Sequence, residues 1–164
     1  REYLPRSDNR DNLFKIMTRL AEFDPTGPTR VAKILHHLAN QVRRKGIVIV
    51  ISDFFDDEAE MMEGIQHLRF AGHEVILMQV LDPYELEFPF TGMVEFEGLE
   101  EIPNVQTRPS QIRKTYLKEF EGFCRRMREL CERNECHYLQ VRTDQSLDEV
   151  LTNYLAFRKT TATP

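Results

Sequence analysis

Five β-branched residues in a row, Ile47-Val48-Ile49-Val50-Ile51, run straight into Ser52 and Asp53. Side chains branched at Cβ are stiff and fit a pleated surface better than a helix. No polar residue alternates with them, so the run reads as a strand buried on both faces, an inner strand of a parallel sheet. A charged segment, Arg43-Arg44-Lys45, leads into it and an acidic turn, Phe54-Phe55-Asp56-Asp57, follows it. In open parallel α/β sheets ligands bind off the carboxyl ends of the strands, so chemistry is sought first at Ser52 and Asp53.

The flanking sequence supplies the rest of such a fold. Leu13, Ile16, Met17, Leu20 and Phe23 recur at helical spacing, and after the break Asp24-Pro25-Thr26-Gly27-Pro28 a second helix opens near Thr29, a common capping residue, and carries Val31, Ile34, Leu35, Leu38 and Val42. Met61, Met62, Ile65 and Leu68 mark a third helix that stops at Ala71-Gly72. Apolar runs at 75 to 81 and 137 to 141 are two further strands. The longest helix starts at Pro109 and ends near Asn134, and Ser146 with Glu149 caps a closing helix. The expectation is an α/β fold of three layers: a mainly parallel sheet of 47 to 52, 75 to 81 and 137 to 141 with helices on both faces. Residues 82 to 92, rich in proline and aromatics, are expected to be irregular and not helical. Met93 to Glu97 and Asn104 to Thr107 are expected to form a short hairpin.

At 164 residues the chain fits one domain, 1–164, able to bury a core without disulfides. Its formal net charge of −5 argues against a nucleic-acid partner, which demands a concentrated basic surface. Arg125, Arg126, Arg128 and Arg133 alternate with glutamates along one helix, the pattern of a solvated face laced with ion pairs. No apolar run is long enough to span a bilayer and the first residues are not a signal peptide, so no membrane contact is expected from this segment and a cytoplasmic location is expected. The sequence does not begin with Met, and a longer protein with an upstream segment is expected. Cys124, Cys131 and Cys136 read as reduced, structural thiols.

Each predicted parallel strand ends on an aspartate: Asp53, Asp82 and Asp144. With Ser52, Asp56, Asp57 and Thr29 these acids could meet at one edge of the sheet, and hard oxygen ligands suit Mg²⁺ or Mn²⁺. Aspartate after a strand is also the usual turn and helix-capping residue, and the positive helix N-terminus beside Thr29 repels a cation. Other chemistries find less support. His36 and His37 point about 100° apart on a helix; Cys131, Cys136 and His137 lack zinc spacing; no glycine-rich phosphate loop follows a strand; and Ser52 lacks the glycines of a nucleophile elbow.

Pro25-Thr26-Gly27-Pro28-Thr29, Val48 to Asp56, Gly72-His73-Glu74-Val75, Leu81 to Phe90, Phe96 to Glu100 and Arg142 to Arg158 together resemble the bacterial family called domain of unknown function 58. That family is similar to von Willebrand factor A domains, whose Rossmann-like, doubly wound sheet carries a metal-ion-dependent adhesion site. The resemblance implies that Thr29 and Asp53 are metal ligands, with Ser52, Asp56, Asp82 and Asp144 along the binding edge. The Asp-x-Ser-x-Ser loop that completes the family's site occurs nowhere in this chain, which implies the carboxyl-terminal part of a longer domain and an incomplete site for Mg²⁺ or Mn²⁺. Genes of the family often lie beside MoxR-type AAA+ ATPases, which implies a non-enzymatic adaptor that engages such an ATPase or its client proteins. The alternative is a Mg²⁺-dependent hydrolase or phosphotransferase using Asp53. Without the family's central strand, the edge of the 47 to 52 strand is expected to form a homodimer or to be covered by an amino-terminal arm such as Glu2 to Leu4.

Overall fold

A computed structural model describes residues 4, 7–23, 30–42, 44–97 and 103–161. In chain order the elements are α1 (Asp11–Glu22), α2 (Val31–Gln41), β1 (Ile47–Ser52), α3 (Glu58–Phe70), β2 (Glu74–Leu81), α4 (Pro83–Glu87), β3 (Val94–Phe96), β4 (Val105–Thr107), α5 (Pro109–Arg133), β5 (His137–Arg142) and α6 (Leu147–Thr161). The three apolar runs form one sheet in the order β1-β2-β5, parallel throughout. β3 and β4 form the expected antiparallel hairpin, Val94 opposite Thr107.

Side-chain alternation divides the sheet into two unequal faces. Val48 and Val50 of β1, Val75 and Leu77 of β2 and Tyr138 of β5 turn to one side, where Leu35 of α2, Met61, Ile65 and Leu68 of α3 and Met127 and Cys131 of α5 close over them. Full burial of a valine, leucine, isoleucine or methionine side chain in this layer contributes about 1.5–3 kcal/mol relative to exposure. α2 and α3 approach closely at Gly64, where an added Cβ would lie 2.7 Å from that of Leu35. The helix α3 stops as expected, Gly72 taking φ 85° just beyond it.

The opposite face carries α6. Tyr154 and Phe157 meet His137 of β5 edge-on, and Arg158 pairs with Glu74 at the start of β2. This cover does not extend over β1, where Ile47, Ile49 and Ile51 are 51%, 51% and 67% exposed. The expectation of a strand buried on both faces is thus corrected: among the described residues β1 has one buried and one open face, and it lies at the edge of the sheet as the absence of a central strand implies. An unbroken apolar run records that a strand can be buried on both faces, not which neighbour does the burying. α1 likewise has no buried residue, and its stripe of Leu13, Ile16, Met17, Leu20 and Phe23 is exposed among the described residues.

A second correction falls on 82 to 92, which contains the helix α4. Asp82 accepts from the Tyr84 amide at 2.8 Å, Glu85 accepts from the Asp82 amide at 2.8 Å, and Pro83 occupies the first helical position. A capping box with proline at that position makes a turn of helix from residues that look like loop. The aromatics beyond it pack onto the domain as expected: Phe88 lies against Tyr116 of α5 with ring centroids 4.4 Å apart, Phe96 stacks on Phe88, and Phe90 meets both Phe88 and Phe96 edge-on.

Candidate functional site

At the carboxyl tip of β1, Ser52 and Asp53 are presented by a turn with an unusual backbone. Phe54, whose side chain is fully buried, takes φ 64°, a left-handed conformation that costs a non-glycine residue of order 1–3 kcal/mol. The surroundings hold it there. The Phe54 amide donates to Ser52 Oγ at 3.1 Å, the Phe55 amide donates to Asp53 Oδ1 at 3.1 Å, and the Ser52 hydroxyl donates to the same Oδ1 at 3.3 Å. Below the turn, the fully buried Gln79 of β2 donates from Nε2 to the Asp53 carbonyl at 2.9 Å, while its Oε1 accepts from the Tyr138 hydroxyl of β5. The β1 tip is thereby tied to both other strands of the sheet. Asp53 itself is exposed, and among the described residues its Oδ2 accepts no hydrogen bond.

The other acids at this edge have structural partners. Asp56 Oδ2 accepts from the Val31 amide at 2.7 Å and so caps α2 from 25 residues away, and Asp57 caps α3 through the amides of Ala59 and Glu60. Asp82 caps α4 and accepts from the Thr143 hydroxyl at 3.1 Å. Asp144 is held by a two-pronged pair with Arg142, both distances 2.9 Å, and Arg142 also reaches Glu87 at 2.9 Å. The guanidinium beside Asp144 holds that carboxyl below its usual range, and the two acids, Asp144 first, raise Arg142 further. Thr29 lies outside the described residues. Among the described residues no three acids, histidines or cysteines gather as a metal cluster. The Ser52 and Asp53 oxygens are hard donors on an accessible tip, and this donor set suits Mg²⁺ or Mn²⁺ and not a soft metal.

Gln79 and Tyr138 escape a reading of motifs, since both sit within apolar runs. The available signal was Gln79 itself, an amide in the middle of Val75 to Leu81, because a buried amide must be hydrogen-bonded to something specific. Of the thiols, Cys124 and Cys131 are buried and Cys136 is half-buried, and burial pushes Cys131 up to about 12 and Cys136 up to about 11.

No curated protein matches the sequence significantly. Two solved structures share the fold at 16% identity: the conserved hypothetical protein BatB from Bacteroides thetaiotaomicron, with a TM-score of 0.50 over 93% of this chain and 71% of that one, and an aerotolerance-related membrane protein from Bacteroides fragilis, with a TM-score of 0.51 over 92% of this chain and 70% of that one. Among the described residues no helix is long and apolar enough to cross a membrane. The family model described as "Protein of unknown function DUF58" matches residues 1–122, most of the chain and all of the β1 tip and its supporting Gln79, and the chain belongs to that family.

Proposed function

We propose that this is a non-enzymatic protein-interaction or adaptor domain of the von Willebrand factor A type, in which Mg²⁺ or Mn²⁺ at the β1 tip bridges to an acidic residue of a partner. The observation that carries the reading is the exposed Asp53 carboxylate with an unengaged oxygen, set on a turn whose base is locked by Gln79 and Tyr138. Asp53 with Ser52, and Thr29 by the family resemblance, would hold the cation, leaving positions for water and for the partner's carboxylate. The partner class that the resemblance implies is a MoxR-type AAA+ ATPase or its client, and the domain would work on the cytoplasmic side, where such an ATPase finds its nucleotide. The phosphotransferase alternative needs a cation free to meet phosphate, and Arg142, near the tip of β5, is taken up by Asp144 and Glu87.

Calorimetric titration with Mg²⁺ and with Mn²⁺, comparing the chain with its Asp53→Ala variant, tests the metal. Binding that falls at least tenfold in the variant is expected; equal affinity in the two would remove Asp53 from the scheme. Co-elution with a MoxR-type ATPase should be lost with the same substitution and with chelation of the cation.

A further inference from the structure

The two outer edges of the sheet differ in kind. On β5 the Thr143 amide donates to the Leu81 carbonyl, so the odd-numbered residues of β5 face β2 and the backbone groups of Tyr138, Gln140 and Arg142 face outward. The Arg142 amide is taken by the Gln145 side chain at 3.2 Å. Among the described residues the outward amides and carbonyls of Tyr138 and Gln140 have no partner. Alongside this edge runs a groove of about 690 Å³ whose lining includes Arg128 and Glu132 of α5, Tyr138 and Leu139 of β5, and Tyr154 and Phe157 of α6.

The walls have distinct chemistry. On the α6 side, Leu139, Tyr154 and Phe157 are apolar or aromatic. On the α5 side, the exposed Arg128 lies over the Tyr138 ring, 5.8 Å from its centroid, and Glu132 follows one helical turn later. Neither charge forms an ion pair among the described residues. Residues four apart on a helix are separated by ~6 Å along its axis. Alternate residues of an extended strand rise ~6.6 Å and point to the same side, so one strand can place a side chain at each of these charges and its intervening residue at the apolar wall.

We propose that the outer edge of β5 receives an extended polypeptide segment as a fourth strand of the sheet. This segment carries an acidic residue against Arg128, an apolar residue against Leu139 and Phe157, and a basic residue against Glu132 at three successive positions. Backbone bonds to Tyr138 and Gln140 supply recognition that does not depend on sequence, and the two charges choose among strands and fix their direction. The site is separate from the β1 tip and requires no cation.

The test uses two fluorescein-labelled probes, Thr-Val-Asp-Val-Lys-Val-Thr and Thr-Val-Asp-Val-Asp-Val-Thr, which sets a mismatched aspartate against Glu132 in either direction, in buffer free of divalent cations. Failure of the metal-dependent reading would therefore leave this result standing. Fluorescence anisotropy should show the Asp/Lys probe binding at least tenfold more tightly than the Asp/Asp probe, and the single substitution Glu132→Arg should reverse the preference. Methylating alternate amide nitrogens of the preferred probe should abolish binding in one register and spare it in the other, because only one edge of the probe faces β5. Ile49→Lys, on the far edge of the sheet, should leave binding unchanged. Equal binding of both probes, no binding of either, a preference that survives Glu132→Arg, equal effects of the two methylation registers, or loss of binding with Ile49→Lys would each overturn the proposal.

Discussion

Gln79 has its whole side chain inside the covered face of the sheet, so each polar end must find a partner there. Replacing it with Leu strands the Tyr138 hydroxyl and releases the Asp53 carbonyl. The expected loss is about 1–3 kcal/mol in urea unfolding, the range for one buried polar group left unmade. Tyr138→Phe should lose a similar amount, and the double variant less than the sum, because the two changes break one shared contact. One ion pair beyond a strand end contributes to the acid limb of stability. Asp144 has its carboxyl lowered by Arg142, so the pair stabilises the fold fully above about pH 3.8 and the contribution is lost as the pH falls through the lower folded value. Asp144→Asn should therefore be less stable than the parent at pH 6 and indistinguishable from it near pH 2. The thiols act at the other limb. Cys131 and Cys136 lose a proton less readily when folded, so their contribution is complete below pH 9 and is lost as the pH rises toward 11 to 12. In native protein at pH 8, all three cysteines should react slowly with a disulfide reagent and quickly after denaturation. Asp53 was legible from its place after a β-branched run. Its support was not, because a hydrogen bond from Gln79, 26 residues away, leaves no trace in local spacing.

Helices and strands show where local signals suffice and where they fail. The long helix α5, its proline start and the glycine stop of α3 follow directly from residue pattern. α4 does not, because a short helix rests on its caps more than on apolar periodicity, and Asp82 and Glu85 supply those caps. The start of α2 is the opposite case: its cap comes from Asp56, which no local motif could reveal. Asp57→Ala should cost about 0.5–2 kcal/mol by removing the cap of α3. Gly64→Ala gives an opposing pair of effects. Alanine favours a helix by about 1 kcal/mol over glycine, but its methyl would meet the Leu35 Cβ at 2.7 Å and the Ala32 carbonyl oxygen at 3.3 Å. A Cβ cannot swing aside as a side-chain end can, so α2 and α3 must separate, and a net loss of about 1–3 kcal/mol is expected in thermal or urea unfolding.

For the molecule as a whole, helical cover is the organising fact. Among the described residues three helices close one face of the sheet and a single helix covers part of the other, leaving β1 with apolar side chains and backbone groups open on the same residues. The Glu74 amide donates to the Gly46 carbonyl, which directs the amides and carbonyls of Ile47, Ile49 and Ile51 away from β2. An uncharged, unbroken edge of this kind templates association. Size exclusion with light scattering should find this chain self-associated at high concentration, and Ile49→Lys should shift it toward monomer. A sharp monomer peak from the parent chain at every concentration would show that another segment covers the edge. The hydrogen-bonded line from Tyr138 through Gln79 to Asp53 has a different consequence. Tyr138 lies under Arg128 at the groove, and Asp53 stands at the exposed tip, so one contiguous path crosses all three strands. If the proposed cation binds at Asp53 and the proposed strand at β5, thermodynamic linkage imposes a strict symmetry: whatever factor Mg²⁺ applies to strand binding, the bound strand must apply the same factor to Mg²⁺.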